Sequence, residues 1–165
     1  MEEVIKKAAR FSEDRTERYW LTRIWGDPNN LVMFIGLNPS TADEFHDDPT
    51  IRRVIRFAKD WGYGGVVMCN LFVQVTPYPK ELNLNAYRYK IDSPITSNLP
   101  SCRMVVAAWG NFKEAEERGN EIALKLPGLF CLGTNKNGTP KHPLYIKADT
   151  LPIPYRPNNV LTPNK

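Results

Sequence analysis

The sequence predicts an α/β protein, a three-layer α/β/α sandwich with a central, mostly parallel four-stranded sheet and an additional N-terminal antiparallel edge strand. Four short apolar runs suit strands that are buried on both faces of such a sheet, namely residues 31–37, 66–71, 102–108 and 128–133. Helical patterns lie between these runs, and strands that alternate with helices are typical of a parallel sheet. We therefore expect helices to cover both faces of the sheet.

The segment before the first apolar run predicts the edge strand. Large and polar side chains alternate over residues 18–25, and the sequence GDPNN at residues 26–30 is a strong turn signal. We expect a hairpin between residues 18–25 and 31–37. Residues 1–17 are polar and charged, and could form a short helix or a loose arm.

The first apolar run ends abruptly at Asn38, which is followed by turn and cap formers. The strand should therefore carry Asn38 to its carboxyl end, where open α/β sheets bind their ligands. A polar amide is well placed for chemistry there. The alternative is that Gly36 and Pro39 only shape a tight turn and that Asn38 satisfies its own backbone.

A helix should start at residues 48–50, with Asp48 as the N-cap and Pro49 at the first helical position. Apolar side chains then recur at helical spacing and should face the sheet, at Ile51, Val54, Ile55, Ala58 and Trp61. The basic side chains of this helix should point away from the sheet, at Arg52, Arg53, Arg56 and Lys59. Such a basic face is either a solvated surface or a contact for a phosphate backbone.

Asn70 interrupts the second apolar run near its carboxyl end. A buried amide must be hydrogen-bonded, so Asn70 either ties a neighbouring loop or faces a ligand beside Asn38. Residues 76–101 are rich in loop formers and bring aromatic and basic groups together, at Tyr78, Tyr87, Arg88, Tyr89 and Lys90. These side chains either stack on bases or pack over a sheet edge.

Two further signals lie in the second half of the chain. Asn111 and Glu114 form a capping box for a helix that should run to about Lys125. His142 follows the fourth apolar run in a loop that its neighbouring proline holds extended. The other histidine, His46, also follows a buried run, so we expect both histidines on the same rim of the sheet.

Length and composition fit one domain over residues 1–165, with an irregular tail at residues 147–165. The net charge of +4 is compatible with a polyanionic partner but does not identify one. Cys69, Cys102 and Cys131 lie in or beside apolar runs, so we expect buried, reduced thiols of a cytoplasmic protein. We expect no signal peptide and no membrane span, because residues 1–10 are charged and every apolar run is too short.

Three short motifs stand at the predicted strand ends: GLNPS at residues 36–40, CNLF at residues 69–72 and HPLY at residues 142–145. Together they resemble the uracil-DNA glycosylase superfamily. The first is similar to the G-I-N-P-G motif of the mismatch-specific branch, the second to the strand whose Asn reads the pyrimidine edge, and the third to the H-P-S-P loop. The whole chain also resembles a family of small bacterial and phage proteins without an established activity, which share GLNPSTAD, NLF, WG and GxPxHPLY.

The resemblance implies a uracil-DNA glycosylase-like fold and hydrolysis of the N-glycosidic bond of a uracil or modified pyrimidine, flipped out of DNA. By resemblance, Asn38 and His142 are the catalytic residues. Asn38 would position the attacking water, and His142 would donate a hydrogen bond to a base oxygen as charge develops. Asn70 would pair with the edge of the base.

The remaining expected contacts follow from the same resemblance. Phe45 would stack on the base, and the base pocket would be completed by Gly36, Leu37 and Pro39. DNA contacts would come from Ser40, Thr41, Arg52, Lys141, Leu144 and Tyr145, with one of the last two as a wedge.

The chain departs from the superfamily at several positions. Asn38 stands where the most active uracil-removing branch has Asp, and an amide cannot act as a general base. Nearby carboxylates could assist the water or serve as helix caps, at Asp43, Asp47 and Asp48. The three cysteines lack the number and spacing of the iron–sulfur branch, so we expect no cluster, no other cofactor and no metal site.

Two other functions stay open at this point. The protein could be a catalytically inactive relative that binds DNA, a free nucleotide or a nucleobase. It could also be a hydrolase or transferase of a small nucleotide. For each function we expect a monomer without a membrane partner.

Overall fold

The computed structural model describes residues 6–84 and 92–157. Its centre is one mixed sheet of seven strands: β1 (Lys6–Phe11), β2 (Arg18–Ile24), β3 (Leu31–Gly36), β4 (Gly65–Asn70), β5 (Cys102–Ala107), β6 (Phe130–Cys131) and β7 (Ile153–Pro154). The strand order is β1-β2-β4-β3-β5-β6-β7. Strands β4, β3, β5 and β6 pair in parallel, whereas β1, β2 and β7 join in antiparallel fashion.

Within the described residues, three α-helices cover the sheet: α1 (Pro49–Asp60), α2 (Asp92–Asn98) and α3 (Glu116–Lys125). Successive side chains of a strand point to opposite faces, so β3 serves two cores. Val32 and Phe34 pack with the apolar stripe of α1. Met33 and Ile35 lie in the other core, with residues of α2 and α3. The predicted α/β class is therefore confirmed, with helices on both faces.

The pairing of β2 corrects the predicted hairpin. β2 pairs with β1 and β4, not with β3, and is therefore not an edge strand. Both neighbours of β3 are the parallel strands β4 and β5, which leaves no free edge for a hairpin. The segment after β2 packs closely against the segment before β4 at Gly64. A Cβ atom there would lie 2.5 Å from the Asp27 carbonyl oxygen, so this position has no room for a side chain.

Both ends of the described chain differ from the prediction. Residues 6–11 form strand β1 rather than a helix or a loose arm, because β2 offers them a partner edge. Within the predicted irregular tail, β7 pairs with β6, and the next residue, Tyr155, is buried against Trp109.

The helix ends test the capping predictions. Asp48 caps α1 as predicted, since its Oδ1 accepts a hydrogen bond from the Ile51 N–H at 2.8 Å. The predicted capping box of the later helix is wrong. A 3₁₀ turn at Lys113–Ala115 precedes α3, which has no side-chain cap, and the Asn111 Oδ1 instead accepts a hydrogen bond from Asn137 at 2.6 Å.

The loop-rich segment contains more regular structure than predicted, since α2 and a 3₁₀ turn at Pro79–Glu81 lie within it. The aromatic and basic residues at 87–90 lie outside the described residues. None of the described helices is long and apolar enough to cross a membrane.

All three cysteines are free thiols. Cys69 and Cys131 are buried, as predicted, and Cys102 is half-buried. Burial raises the pKa of both Cys69 and Cys102 to about 12, so these sulfurs stay protonated and unreactive at neutral pH.

Candidate functional site

A cavity of about 320 Å³ opens at the carboxyl ends of β3 and β4, next to the first turn of α1. Open α/β sheets bind ligands at the carboxyl ends of their strands. The site lies at the strand from which the strand order continues in opposite directions across the sheet. Here that strand is β3, which has β4 on one side and β5 on the other. The cavity is lined by Arg18, Gly36, Leu37, Asn38, Pro39, Ser40, Asp48, Thr50, Ile51, Met68, Asn70, Thr76, Pro77, Pro79, Phe112 and His142.

Asn38 presents an oxygen. Its Nδ2 donates to the carbonyl oxygens of Thr76 at 2.7 Å and Pro39 at 3.0 Å. Because carbonyl oxygens only accept hydrogen bonds, the amide can take only one of its two orientations. Its Oδ1 has no protein donor among the described residues, so this oxygen is free to hold a water or a ligand donor.

Asn70 presents a nitrogen. Its Oδ1 accepts a hydrogen bond from the Arg18 guanidinium at 3.3 Å, and a guanidinium can only donate. The Asn70 Nδ2 therefore points the other way. It lies 2.9 Å from the place where a Cβ atom on Gly36 would be, so the glycine gives this amide its room.

His142 presents a donor. Its Nδ1 accepts a hydrogen bond from the Leu144 N–H at 3.2 Å, which requires an unprotonated Nδ1 and leaves the proton of the neutral ring on Nε2. Burial lowers the pKa of His142, although Asp48 opposes this shift. The ring is thus a neutral hydrogen-bond donor at neutral pH.

Asp48 supplies the carboxylate of the cavity. One of its oxygens caps α1, and no described residue donates to the other. The other two aspartates named from the sequence serve the loop instead. Asp43 accepts the backbone N–H groups of residues 45 and 46, and Asp47 forms an ion pair with Arg23 at 2.8 Å.

Phe112 supplies the aromatic side of the cavity. Gly110, at φ 79°, lies between Phe112 and His142, and a Cβ atom there would be 3.1 Å from the Phe112 ring and 3.3 Å from the His142 Cβ. Glycine is therefore required both for the backbone conformation and for the close approach of these two side chains.

The structure brings seven of the sequence-predicted site residues together in the cavity wall: Gly36, Leu37, Asn38, Pro39, Ser40, Asn70 and His142. The others lie outside it. Phe45 is 76% exposed, contacts the His46 ring and does not line the cavity, whereas Phe112 does. The remaining predicted contacts are on the surrounding surface, at Thr41, Arg52, Lys141, Leu144 and Tyr145.

Sequence reasoning missed Arg18 and Phe112. The expected edge strand would have left one face of residues 18–25 in water, where a charged side chain needs no explanation. In the structure Arg18 is only 2% exposed, because it packs under the loop between β3 and α1 and donates to the Ala42 carbonyl there. The signal for Phe112 was its position two residues after Trp109-Gly110, the pair that ends a buried run.

A family model described as "Protein of unknown function (DUF1643)" matches residues 18–144. The chain belongs to the DUF1643 family. The matched segment of this DUF1643 protein contains every residue that lines the cavity. No curated protein and no solved structure matches the chain. Within residues 6–84 and 92–157, no group of three or more His, Cys, Asp or Glu side chains could hold a metal ion.

Proposed function

We propose that this DUF1643 protein is a DNA glycosylase-like enzyme that hydrolyses the N-glycosidic bond of a uracil or modified pyrimidine in DNA. The convergence of Asn38, Asn70 and His142, from three separate segments of the chain, on one cavity carries the proposal. The cavity volume of about 320 Å³ is at the lower end of the range for small-ligand sites, as expected for a single extruded base.

The proposal includes the fold. The parallel strands β4-β3-β5-β6 with helices on both faces support a uracil-DNA glycosylase-like sandwich, extended here by antiparallel strands at both edges. In such a fold the base would enter at the carboxyl ends of β3 and β4. Phe112 would then stack on the base, because aromatic side chains bind any base through its π-face.

The reaction would use the free atoms of the cavity side chains. The bond between the sugar C1′ and the base nitrogen breaks, and its electron pair goes to the base. Water attacks C1′, held by the Asn38 Oδ1. The Nε2–H of His142 donates to a base oxygen on which negative charge develops, and the Asn70 Nδ2 donates to a second oxygen on the base edge.

Asp48 would take the proton from the attacking water. This role answers the objection that an amide at position 38 cannot act as a base. Of the three aspartates between β3 and α1, Asp48 is the one that lines the cavity and has an oxygen without a protein donor among the described residues.

The test is single-turnover base release from duplex and single-stranded DNA that carries uracil, mismatched thymine or 5-hydroxymethyluracil, followed by cleavage of the abasic product. We expect release of at least one base, and a loss of about 10²-fold in Asn38→Ala and in His142→Ala.

Asn98→Ala is the matched control, because the Asn98 Nδ2 also donates to a backbone carbonyl, that of Pro94 at 2.7 Å, but lies outside the cavity. It should retain the wild-type rate. Absence of release from every substrate would overturn the enzymatic proposal and favour a protein that binds a nucleotide without cleaving it.

A further inference from the structure

Arg18 is a buried cation without a carboxylate partner among residues 6–84 and 92–157. It is 2% exposed and lines the cavity at the start of β2. Its terminal nitrogens donate to the Ala42 carbonyl at 3.1 Å and to the Asn70 Oδ1 at 3.3 Å, and its Nε has no hydrogen-bond partner in the part of the chain that the structure describes. Both accepting oxygens are neutral.

Arg23 on the same strand shows what a neutralised arginine looks like in this fold. It is fully buried as well, but it forms an ion pair with Asp47 at 2.8 Å and donates to the Asp43 carbonyl at 2.6 Å. Arg23 does not line the cavity. The two buried arginines of β2 therefore differ in one respect that concerns function, since the uncompensated one faces the site.

A buried charge is costly unless an opposite charge or several hydrogen bonds compensate it. Burial lowers the pKa of Arg18 to about 10, so the side chain is still protonated at neutral pH. Asp48 contributes an attraction but lies beyond ion-pair distance. An anionic ligand oxygen in the cavity would relieve this imbalance, because it would accept from the guanidinium in a charge-assisted hydrogen bond.

We propose that Arg18 binds the negative charge of the ligand and, in the proposed glycosylase reaction on which this inference rests, stabilises the pyrimidine anion as it leaves. The electron pair of the broken bond moves into the pyrimidine ring and onto its oxygens. Arg18 and the Asn70 amide, which Arg18 orients, face that charge together. Arg18 thus selects for ligands that are anionic or become anionic.

The first experiment measures binding without catalysis. Uracil is neutral at neutral pH, whereas barbiturate is a pyrimidine of similar shape that is an anion. We expect the wild-type protein to bind barbiturate at least about tenfold more tightly than uracil in calorimetry, and Arg18→Met to lose that preference. Arg18→Lys keeps the charge and should retain part of it.

Arg23→Met is the matched control, because it removes a buried arginine from the same strand but not from the cavity. Because Arg23 also holds the loop between β3 and α1, the variant should unfold at a lower temperature and bind both pyrimidines more weakly, but it should keep the preference for barbiturate over uracil. Equal binding of the two pyrimidines by the wild-type protein, or an unchanged preference in Arg18→Met, would overturn the inference.

The second experiment compares release of uracil with release of 5-fluorouracil, the better leaving group. Arg18→Met should slow uracil release by about 10²-fold and 5-fluorouracil release less. The fluorine atom stabilises the negative charge that develops on the leaving base, so this base depends less on Arg18. Equal losses for both bases would show that Arg18 only maintains structure. If the protein releases no base but prefers barbiturate through Arg18, the proposed glycosylase function is wrong and the proposed anion-binding role of Arg18 is supported.

Discussion

Two asparagines in the cavity have opposite roles because their hydrogen-bond partners differ. Asn38 faces backbone carbonyls with its nitrogen and so offers its oxygen. Asn70 faces a guanidinium with its oxygen and so offers its nitrogen. His142 is fixed in the same way, since the Leu144 N–H occupies its Nδ1. The chemistry that each side chain offers is thus set by the protein group that occupies its other polar atom.

Protonation of His142 should destabilise the protein. Burial holds the pKa of His142 below its usual value of 6.5, so the unfolded chain binds this proton more readily than the native state does. Stability from this residue is present above pH 6.5 and decreases as the pH falls through the lowered native pKa. Urea unfolding from mildly alkaline to mildly acid pH should show this loss in the wild-type protein.

His142→Ala is the comparison for that titration. The variant should be less stable at neutral pH, but its stability should decline less as the pH falls. An identical pH dependence in the two proteins would contradict the assigned ring state.

At the scale of elements, the site depends on two loops that other elements hold in place. The loop between β3 and α1 is tied to β2, because Arg18 and Arg23 both donate to its carbonyl oxygens. The loop after β6 is tied to α1, since Arg53 donates to the carbonyl oxygens of Pro143 and Ile146. The basic face of α1 was predicted to be either a solvated surface or a contact for a phosphate backbone, but Arg53 is half-buried against this loop.

Gly36→Ala should damage the site from the end of β3. The new methyl group would lie 2.7 Å from the Met68 Cε and 2.9 Å from the Asn70 Nδ2. The methionine can move, but Arg18 holds the amide. We expect a loss of about 1–3 kcal/mol in the free energy of unfolding and weaker barbiturate binding.

Gly128→Ala is the control for that substitution, since a Cβ atom at Gly128 has no neighbour within 4 Å. Its unfolding and its binding should match those of the wild-type protein. Wild-type binding by Gly36→Ala would mean that Asn70 does not contact the ligand.

Arg53→Met should release the loop that carries His142. Because the loop would then sample other positions, we expect slower base release and faster hydrogen exchange at the Leu144 N–H. Arg56→Met, on the same helix, removes only an exposed pair with Asp60 at 3.2 Å and should change neither. Unchanged exchange in Arg53→Met would show that the loop is held by other contacts.

At the scale of the whole molecule, the parallel register aligns the ends of β3 and β4, so that Gly36 lies opposite Asn70. Groups 32 positions apart in the sequence, Asn38 and Asn70, therefore line one cavity. The face around the cavity mouth is where a DNA backbone would lie under the proposed function.

DNA binding should be sensitive to salt, with a logarithmic slope that counts the phosphates contacted. Arg52 is exposed in the first turn of α1, next to the cavity residues Thr50 and Ile51. Arg52→Ala should reduce the slope by about one. Lys6→Ala is the control, because Lys6 lies at the end of the sheet away from the cavity. It pairs with Ile24, which pairs with Gly65, the first residue of β4. Equal slopes in the wild-type protein, Arg52→Ala and Lys6→Ala would show that Arg52 does not contact the DNA backbone.

The sequence predicted the features that depend on local pattern. The apolar runs were long enough to mark β3, β4 and β5, and Asp48-Pro49 marked the start of α1, because a cap is decided by residues three or four positions apart. The predicted start of α3 failed because Asn111 found a distant partner, Asn137, in place of its own helix.

The sequence by itself determined the α/β class, the carboxyl ends of β3 and β4 to within one residue, and the three polar side chains Asn38, Asn70 and His142, which the fold gathers into one cavity. The predicted fourth strand at residues 128–133 is shorter in the structure, where β6 is Phe130–Cys131. Only the tertiary structure decided that β2 lies inside the sheet, that Arg18 is a buried cation at this cavity, and that Phe112 rather than Phe45 lines it. The reason is physical. Strand order and loop packing arise from contacts between residues far apart in the chain, which no local pattern encodes.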